Sequence, residues 1–160
     1  MPRLLLPALL SLAVLPVSAQ EADRPKPDPL VERHLKQLDY TYEVDEDGDY
    51  KLVFELDGGR SQLVYVRSPV EEFGAHRVRE IWSPGYRSDT EQFSAKVANR
   101  LLEATQDNKL GAWAKQGHFA VFVVKLPSDA SAQALEDAID AAVRSADEME
   151  NELTPGKDDL

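Results

Sequence analysis

Residues 119–126 (FAVFVVKL) carry apolar side chains on both faces of a strand, and they constrain the fold more than any other segment. A strand with one face in water alternates apolar and polar side chains, whereas residues 120–124 are apolar without interruption. We therefore expect this strand to lie centrally in a sheet and to be covered on both faces. Pro127 and Ser128 end it.

Shorter segments upstream alternate in the manner of half-buried strands, at residues 40–44, 50–56 and 62–67. The glycine-containing pairs between them, at 47–48 and 58–59, suit the positive φ angles of tight hairpin turns. The pattern predicts an antiparallel meander with one shared apolar face, formed by Tyr42, Val44, Leu52, Phe54, Leu56, Leu63 and Tyr65.

Two more extended segments complete the predicted sheet. Residues 68–74 predict a loop and residues 77–82 a fourth extended segment, after which Ser83-Pro84-Gly85 is expected to turn the chain. Residues 109–114 predict a short strand, which a turn at Gln116-Gly117 connects to the apolar strand.

Three segments have the 3.6-residue spacing of amphipathic helices. The first starts at Asp28-Pro29, the second follows a capping-box pattern at Ser88 and Glu91, and the third spans residues 131–153. The resulting order is α-β-β-β-α-β-β-α, with the fourth extended segment before the second helix. This order predicts a single α+β domain, an antiparallel sheet with helices packed on it.

Residues 1–19 have the parts of a secretory signal peptide: a basic start at Arg3, an uncharged apolar stretch, and a small-residue cleavage motif ending at Ala19. The apolar stretch is shorter than the ~20 residues of a membrane span. No twin arginine precedes it, so we expect Sec export, cleavage after Ala19, and a periplasmic or secreted protein. A buried N-terminal helix is the alternative.

The proline-rich residues 20–29 predict an extended linker, residues 30–153 the domain, and residues 154–160 an acidic tail. The last four residues (KDDL) also resemble an ER-retention signal, and a solvated tail is the interpretation we favour. The chain has no cysteine, which excludes disulfides and thiolate chemistry and favours a bacterial envelope over the oxidising ER.

The chain carries 18 Lys and Arg residues against 29 Asp and Glu, a formal net charge of −11. Phosphate binding depends on clustered Lys and Arg, so nucleic acid and anionic membranes are not expected partners. The acids concentrate at residues 45–49 and after Arg144, which indicates solvated turns and a solvated helix end. A basic client is the functional alternative.

Candidate site residues are few. Asp45, Asp47 and Asp49 alternate as in a calcium loop, but Tyr50 and Leu56 stand where an EF-hand needs Gly and Glu, so an acidic hairpin turn is favoured. Trp82, Tyr86 and Trp113 are the candidate partner-binding residues, since exposed aromatics are enriched at interfaces; core packing is the competing interpretation.

Catalytic motifs are absent from the sequence: there is no nucleophile elbow, phosphate-binding loop, dinucleotide fingerprint or HExxH pair. The three histidines lie in different predicted elements. We therefore expect a protein that is not an enzyme and uses no cofactor, although a hydrolase with an unrecognised site stays an alternative.

The element order and three phrases resemble the YbjN-domain family. These phrases are residues 42–49 (YEVDEDGD), residues 108–113 (NKLGAW) and residues 145–153 (SADEMENEL). The resemblance covers residues 30–153 and implies a type III secretion chaperone-like fold. It also implies a small, often dimeric protein-binding module of the kind proposed to regulate bacterial signalling, with no catalytic residues to transfer. Such proteins are expected in the cytoplasm, whereas this chain has an export signal.

Together these features predict an exported, non-enzymatic protein-binding module in a bacterial envelope, chaperone-like or regulatory. A protein or peptide client would bind by side-chain burial on the sheet face or by strand addition at an edge, and a homodimer is a further candidate assembly. The alternative is a periplasmic sensor of a small ligand or metal, using the Asp45, Asp47 and Asp49 turn or the loop expected at residues 82–86.

Overall fold

The computed structural model describes residues 25–158 and 160. The predictions for residues 1–24, the signal peptide with cleavage after Ala19 and the start of the linker, lie outside this range. Within it, no helix is both long enough and apolar enough to cross a membrane.

The described chain forms one antiparallel sheet with three helices packed on it, which confirms the predicted α+β class. The helices are α1 (Pro29–Gln37), α2 (Ala95–Asp107) and α3 (Ala132–Leu153). The strands are β1 (Glu43–Val44), β2 (Tyr50–Glu55), β3 (Ser61–Val66), β4 (Glu71–Phe73), β5 (His76–Arg87), β6 (Ala112–Gln116) and β7 (Phe119–Pro127). They lie in the order β1-β2-β3-β5-β7-β6, with β4 paired to the first residues of β5.

The three helices pack against the same face of the sheet, which we call the covered face. The main core joins α1 and α3 to the strands through Val31, Leu35, Tyr50, Leu52, Val64, Val66, Ile81, Phe122, Val124, Leu135, Ala138, Ile139, Ala142 and Val143. A smaller cluster joins α2 to the C-terminal half of α3 through Leu101, Ala104, Ala120 and Met149.

Strand β7 is internal, as expected, since it pairs with β5 on one side and β6 on the other. Both of its faces are buried over residues 120–124, as expected, but no described helix or strand forms a second layer over one of them. Ala120, Phe122 and Val124 enter the cores under the helices, but Val121 and Val123 belong to neither core cluster. Neighbouring side chains of the sheet itself shield these two valines, so an apolar run did not require a second layer.

The turn predicted at Ser83-Pro84-Gly85 is wrong. Strand β5 continues to Arg87 with a β-bulge between Pro84 and Tyr86, and the predicted loop at residues 68–74 contains β4. A bulge accommodates Pro84, which has no N–H to give to a ladder, and it inserts Gly85 as an extra residue. Pro-Gly therefore marks an irregularity within a long strand here, not its end.

The second helix starts later than its capping-box pattern predicts. Ser94 is the N-cap of α2, and its hydroxyl accepts a hydrogen bond from the amide of Val97 at 3.3 Å. The Ser88 hydroxyl instead accepts from the amide of Thr90, within a turn that precedes the helix. Hydroxyl side chains close both turns and caps by the same bond, so the sequence pattern did not distinguish them.

A buried arginine fixes the start of the domain to the sheet. Arg79 on β5 is 3% exposed and donates hydrogen bonds to the carbonyls of Arg67 (2.7 Å) and Ser68 (3.0 Å) and to Asp28 Oδ2 (2.6 Å). Asp28 in turn caps α1, accepting from the amide of Leu30 at 2.7 Å. Burial raises the pKa of Asp28, but the Leu30 amide and Arg79 outweigh burial and hold it below its usual range.

Asp28 therefore makes the fold sensitive to acid. A carboxyl whose pKa is lowered by folding stabilises the protein above its unfolded-state pKa of about 3.9, and this contribution is lost as the pH falls through the folded-state pKa. We expect the stability difference between wild type and Asp28→Asn, measured by urea unfolding, to shrink as the pH is lowered from neutrality to below about 4. A difference that grows in acid contradicts this assignment.

Candidate functional site

The face of the sheet opposite the helices has an apolar centre bordered by charged residues, and no described helix or strand lies over it. The registers place Val53 opposite Leu63, Tyr65 opposite Trp82, and Pro84 opposite Val121. Because paired residues of antiparallel strands point to the same side, we define the open sheet face by Val53, Leu63, Tyr65, Trp82, Pro84, Ala112, Ala114, Phe119, Val121 and Val123. It spans β2, β3, β5, β7 and β6.

The placement of Leu63 and Tyr65 corrects the sequence prediction. They were expected to share a buried face with Leu52 and Phe54, but Leu52 pairs with Val64, so Val64 enters the core and its neighbours point outward. A register change of one residue reverses every side chain of a strand. Both faces of residues 61–66 are largely apolar, and the pattern alone could not choose between them.

A cavity opens on this face where β3 and β5 separate. Their backbone ladder consists of the pairs Tyr65–Trp82 and Val66–Ile81. Beyond it, side chains connect the strands: Gln62 Nε2 donates to Ser83 Oγ at 3.0 Å, and Ser83 Oγ donates to the carbonyl of Leu63 at 2.7 Å. The cavity has a volume of about 320 Å³ and is lined by Leu63, Tyr65, Trp82, Pro84, Gln116, Phe119, Val121 and Leu160.

Trp82 lies at the centre of the open sheet face. It also lines a second cavity beside β6, with a volume of about 390 Å³. Its indole N–H donates to Glu80 Oε2 at 2.8 Å, and the Arg67 guanidinium lies 4.7 Å from the ring centroid. Glu80 also pairs with Lys125 at 3.0 Å. These contacts hold the ring in place, so it presents a preorganised aromatic surface between charged neighbours.

The other two candidate partner-binding residues lie on the covered face. Tyr86 packs edge-on against Phe93 at 5.7 Å between ring centroids, because the bulge at Gly85 turns it toward the helices. Trp113 packs against Phe122 at 5.3 Å, and its indole N–H is buried and has no hydrogen-bond partner in the described chain. Of the three, only Trp82 faces outward. Residues 82–86 are part of a strand, so the expected binding loop does not form.

Asp45, Asp47 and Asp49 form a hairpin turn held by their own hydrogen bonds. Asp45 Oδ1 accepts from the amides of Asp47 (3.0 Å) and Asp49 (2.9 Å). The buried Asp49 carboxylate accepts from the Ser68 amide at 2.7 Å and pairs with Arg67 at 2.9 Å. Burial raises the pKa of Asp49, and these two partners oppose that rise. Its oxygens are thus engaged in joining the turn to the sheet.

The described residues contain no group of three or more His, Asp or Glu side chains placed to hold a metal ion. A polar cleft of about 440 Å³ lies near the start of β7 and gathers Arg87, Asp89, His118, Glu150 and Lys157. There the imidazole Nδ1 of His118 lies 3.3 Å from the carbonyl oxygen of Ser88. These contacts identify no activated nucleophile.

No protein-family model matches this sequence, and no curated protein matches it. The feature of the described chain that points most directly to a function is the open sheet face. Of its residues, the sequence identified only Trp82 as a candidate for partner binding, and Leu63 and Tyr65 were expected in the core instead. The signal that could have found them is the second apolar set in residues 61–66, together with the unbroken apolar run of β7.

Proposed function

We propose that this chain is a non-enzymatic protein-binding module whose open sheet face receives an apolar segment of a partner protein. The supporting observation is an apolar patch at the middle of this face, bordered by charged side chains, over which no described helix or strand lies. Large apolar patches are rare on monomeric soluble proteins and mark interaction sites. Trp82, aromatic and held by Glu80 and Arg67, has the properties of an interface hot spot.

Burial on the face is favoured over strand addition at an edge. At one edge, β1 has two residues, which is too short to template a partner strand. At the other, the amide of Trp113 in β6 already donates to Thr105 Oγ1 of α2 at 3.0 Å. The apolar side chains of the described strands lie on the open sheet face, so we place the partner there.

The proposal includes the finer features expected from the sequence. We place the protein in a bacterial envelope after Sec export, because of the signal-peptide pattern of residues 1–19. A YbjN-type, type III secretion chaperone-like fold is part of the same proposal, supported by helices on one face of an antiparallel sheet. In such a module the other face of the sheet is available for a client.

A peptide selection tests this function. Peptides selected from a displayed random library against the purified protein are expected to bind Leu63→Lys about 30-fold more weakly than wild type, the loss typical of a disrupted hot spot. The reason is that a lysine at this position places a charge within the apolar cavity. Affinity is measured by fluorescence anisotropy, and circular dichroism checks that the variant is folded.

Leu102→Lys is the matched control, because Leu102 is 67% exposed on α2, on the other side of the molecule. Its affinity is expected to equal that of wild type. Selected peptides that bind both variants equally well would place the binding site off the open sheet face. A selection that yields no binding peptide would count against the function itself.

A further inference from the structure

The C-terminal tail, of which residues 154–158 and 160 are described, leads from the helix side of the molecule toward the open sheet face. At the end of α3, the Thr154 amide donates to the carbonyl of Glu150 at 2.8 Å. The amide of Lys157 then donates to the carbonyl of Thr154 at 3.1 Å, in a turn where Gly156 has a φ of 80°. A positive φ at this position is readily adopted by glycine, and it redirects the chain away from the helix axis.

Arg60, just before β3, and Ser61, its first residue, hold the tail by hydrogen bonds. Arg60 Nη1 donates to the carbonyl of Lys157 at 2.9 Å. The Ser61 amide donates to both carboxylate oxygens of Asp158, at 3.0 and 3.2 Å, and the Ser61 hydroxyl donates to Oδ2 at 3.2 Å. These hydrogen bonds are exposed to water, which competes for the same donors and acceptors, so the fastening is specific in geometry but contributes little net stability.

Beyond this fastening, Leu160 lines the cavity of the open sheet face. All the other residues that line this cavity lie on β3, β5, β6 or β7, so the leucine is supplied from outside the sheet. It is partly buried. Leu160 therefore borders the apolar space in which we place a partner's side chain, and it also lines the polar cleft near the start of β7.

We propose that the tail is a built-in competitor for the open sheet face, with Leu160 held against the cavity until a partner's apolar side chain displaces it. This inference rests on the proposed function. The tail also indicates the chemistry that the site accepts: a large aliphatic side chain two residues after a carboxylate that can accept the Ser61 amide. A partner with both features would accept the hydrogen bond from the Ser61 amide in place of Asp158 and would place its aliphatic side chain where Leu160 lies.

Competition of this kind weakens ligand binding: the apparent association constant equals the intrinsic one multiplied by the fraction of molecules in which the tail is displaced. If the tail is bound in nine molecules of ten, releasing it strengthens binding about tenfold. The probe is the fluorescent dye 8-anilinonaphthalene-1-sulfonate, which binds apolar surface. We expect Leu160→Ser and Asp158→Ala to bind the dye about tenfold more tightly than wild type.

Two variants serve as controls. Asp158→Asn keeps a side-chain oxygen for the Ser61 amide and is expected to retain most of the wild-type behaviour. Leu102→Ser removes an exposed leucine far from the cavity and is expected to leave the affinity unchanged.

Contact between tail and face is measured separately by fluorine NMR of the protein labelled with 5-fluorotryptophan. The chain has two tryptophans, so Trp113 on the covered face is an internal reference for Trp82 in the cavity. Leu160→Ser is expected to shift the Trp82 resonance and leave that of Trp113 in place. Trp82→Phe assigns the two signals.

The outcomes separate this inference from the function on which it rests. An unmoved Trp82 resonance, or a moved resonance with unchanged dye affinity, overturns the competitor role of the tail. If Leu160→Ser strengthens dye binding and adding Leu63→Lys leaves that gain intact, the dye binds elsewhere, and the proposed use of the open sheet face is overturned. A gain that Leu63→Lys abolishes supports both.

Discussion

Gly85→Ala is expected to destabilise the protein by about 3 kcal/mol, although it adds a single methyl group. A Cβ at this position would lie 2.5 Å from Cη2 of Trp113, 2.9 Å from the carbonyl oxygen of Ala146 and 3.0 Å from its Cα. The Ala146 atoms belong to the backbone of α3 and cannot move aside without displacing the helix. In an unconstrained position the same change would stabilise slightly, by restricting the unfolded chain.

The comparison that isolates the steric effect is Gly74→Ala. Gly74 has a φ of +60° and open space around its Cβ position, so alanine there is expected to cost about 1 kcal/mol, from backbone conformation alone. Both variants are measured by urea unfolding, with the midpoint as the readout and an unchanged slope as evidence of two-state behaviour. If Gly85→Ala is as stable as wild type, α3 does not approach the bulge as closely as described.

Arg79→Met is expected to destabilise the protein by about 3 kcal/mol, the range found when one partner of a buried ion pair is removed. Methionine fills much of the space but leaves the carbonyls of Arg67 and Ser68 and the carboxylate of Asp28 without this donor. Because a buried group that loses its hydrogen bond incurs its full desolvation cost, the loss exceeds the value of the bonds themselves.

Arg77→Met is the matched control on the same strand. The Arg77 guanidinium is exposed and pairs with Glu72 at 3.4 Å, so its removal is expected to cost less than about 1 kcal/mol. Combining Arg79→Met with Asp28→Asn should recover part of the loss, since asparagine still caps α1 but carries no charge. Strictly additive effects of the two substitutions would contradict a direct interaction between Arg79 and Asp28.

Local features of this fold were predictable where one physical signal dominates. Ser131 before a long apolar stripe marked the start of α3, and Asp28-Pro29 marked the start of α1. Each of these caps forms a bond within a few residues, so the sequence nearby contains both partners. The hairpin between β1 and β2 follows from Asp47-Gly48, because glycine adopts the positive φ that the turn requires.

Features that depend on distant partners were not predictable from the pattern. Whether Pro84-Gly85 ends a strand or forms a bulge is decided by pairing with β7 and by the approach of α3, which lie far along the chain. The outward direction of Leu63 and Tyr65 is decided by their register with β2. The candidate site depends on both the bulge in β5 and the register of β3 with β2. This explains why Trp82 was identified from the sequence and most of its neighbours were not.

The bulge at Gly85 gives strand β5 two separate sets of positions. Before it, Ile81 and Ser83 face the helices while Trp82 and Pro84 face outward; after it, Tyr86 faces the helices and Arg87 faces outward beside Phe119. Alternate residues of one strand thus have different surroundings: one set packs in the core under the helices, and the other forms part of the open sheet face. The outward positions are even-numbered before Gly85 and odd-numbered after it, and substitutions at these positions can change the open sheet face while the core beneath stays the same.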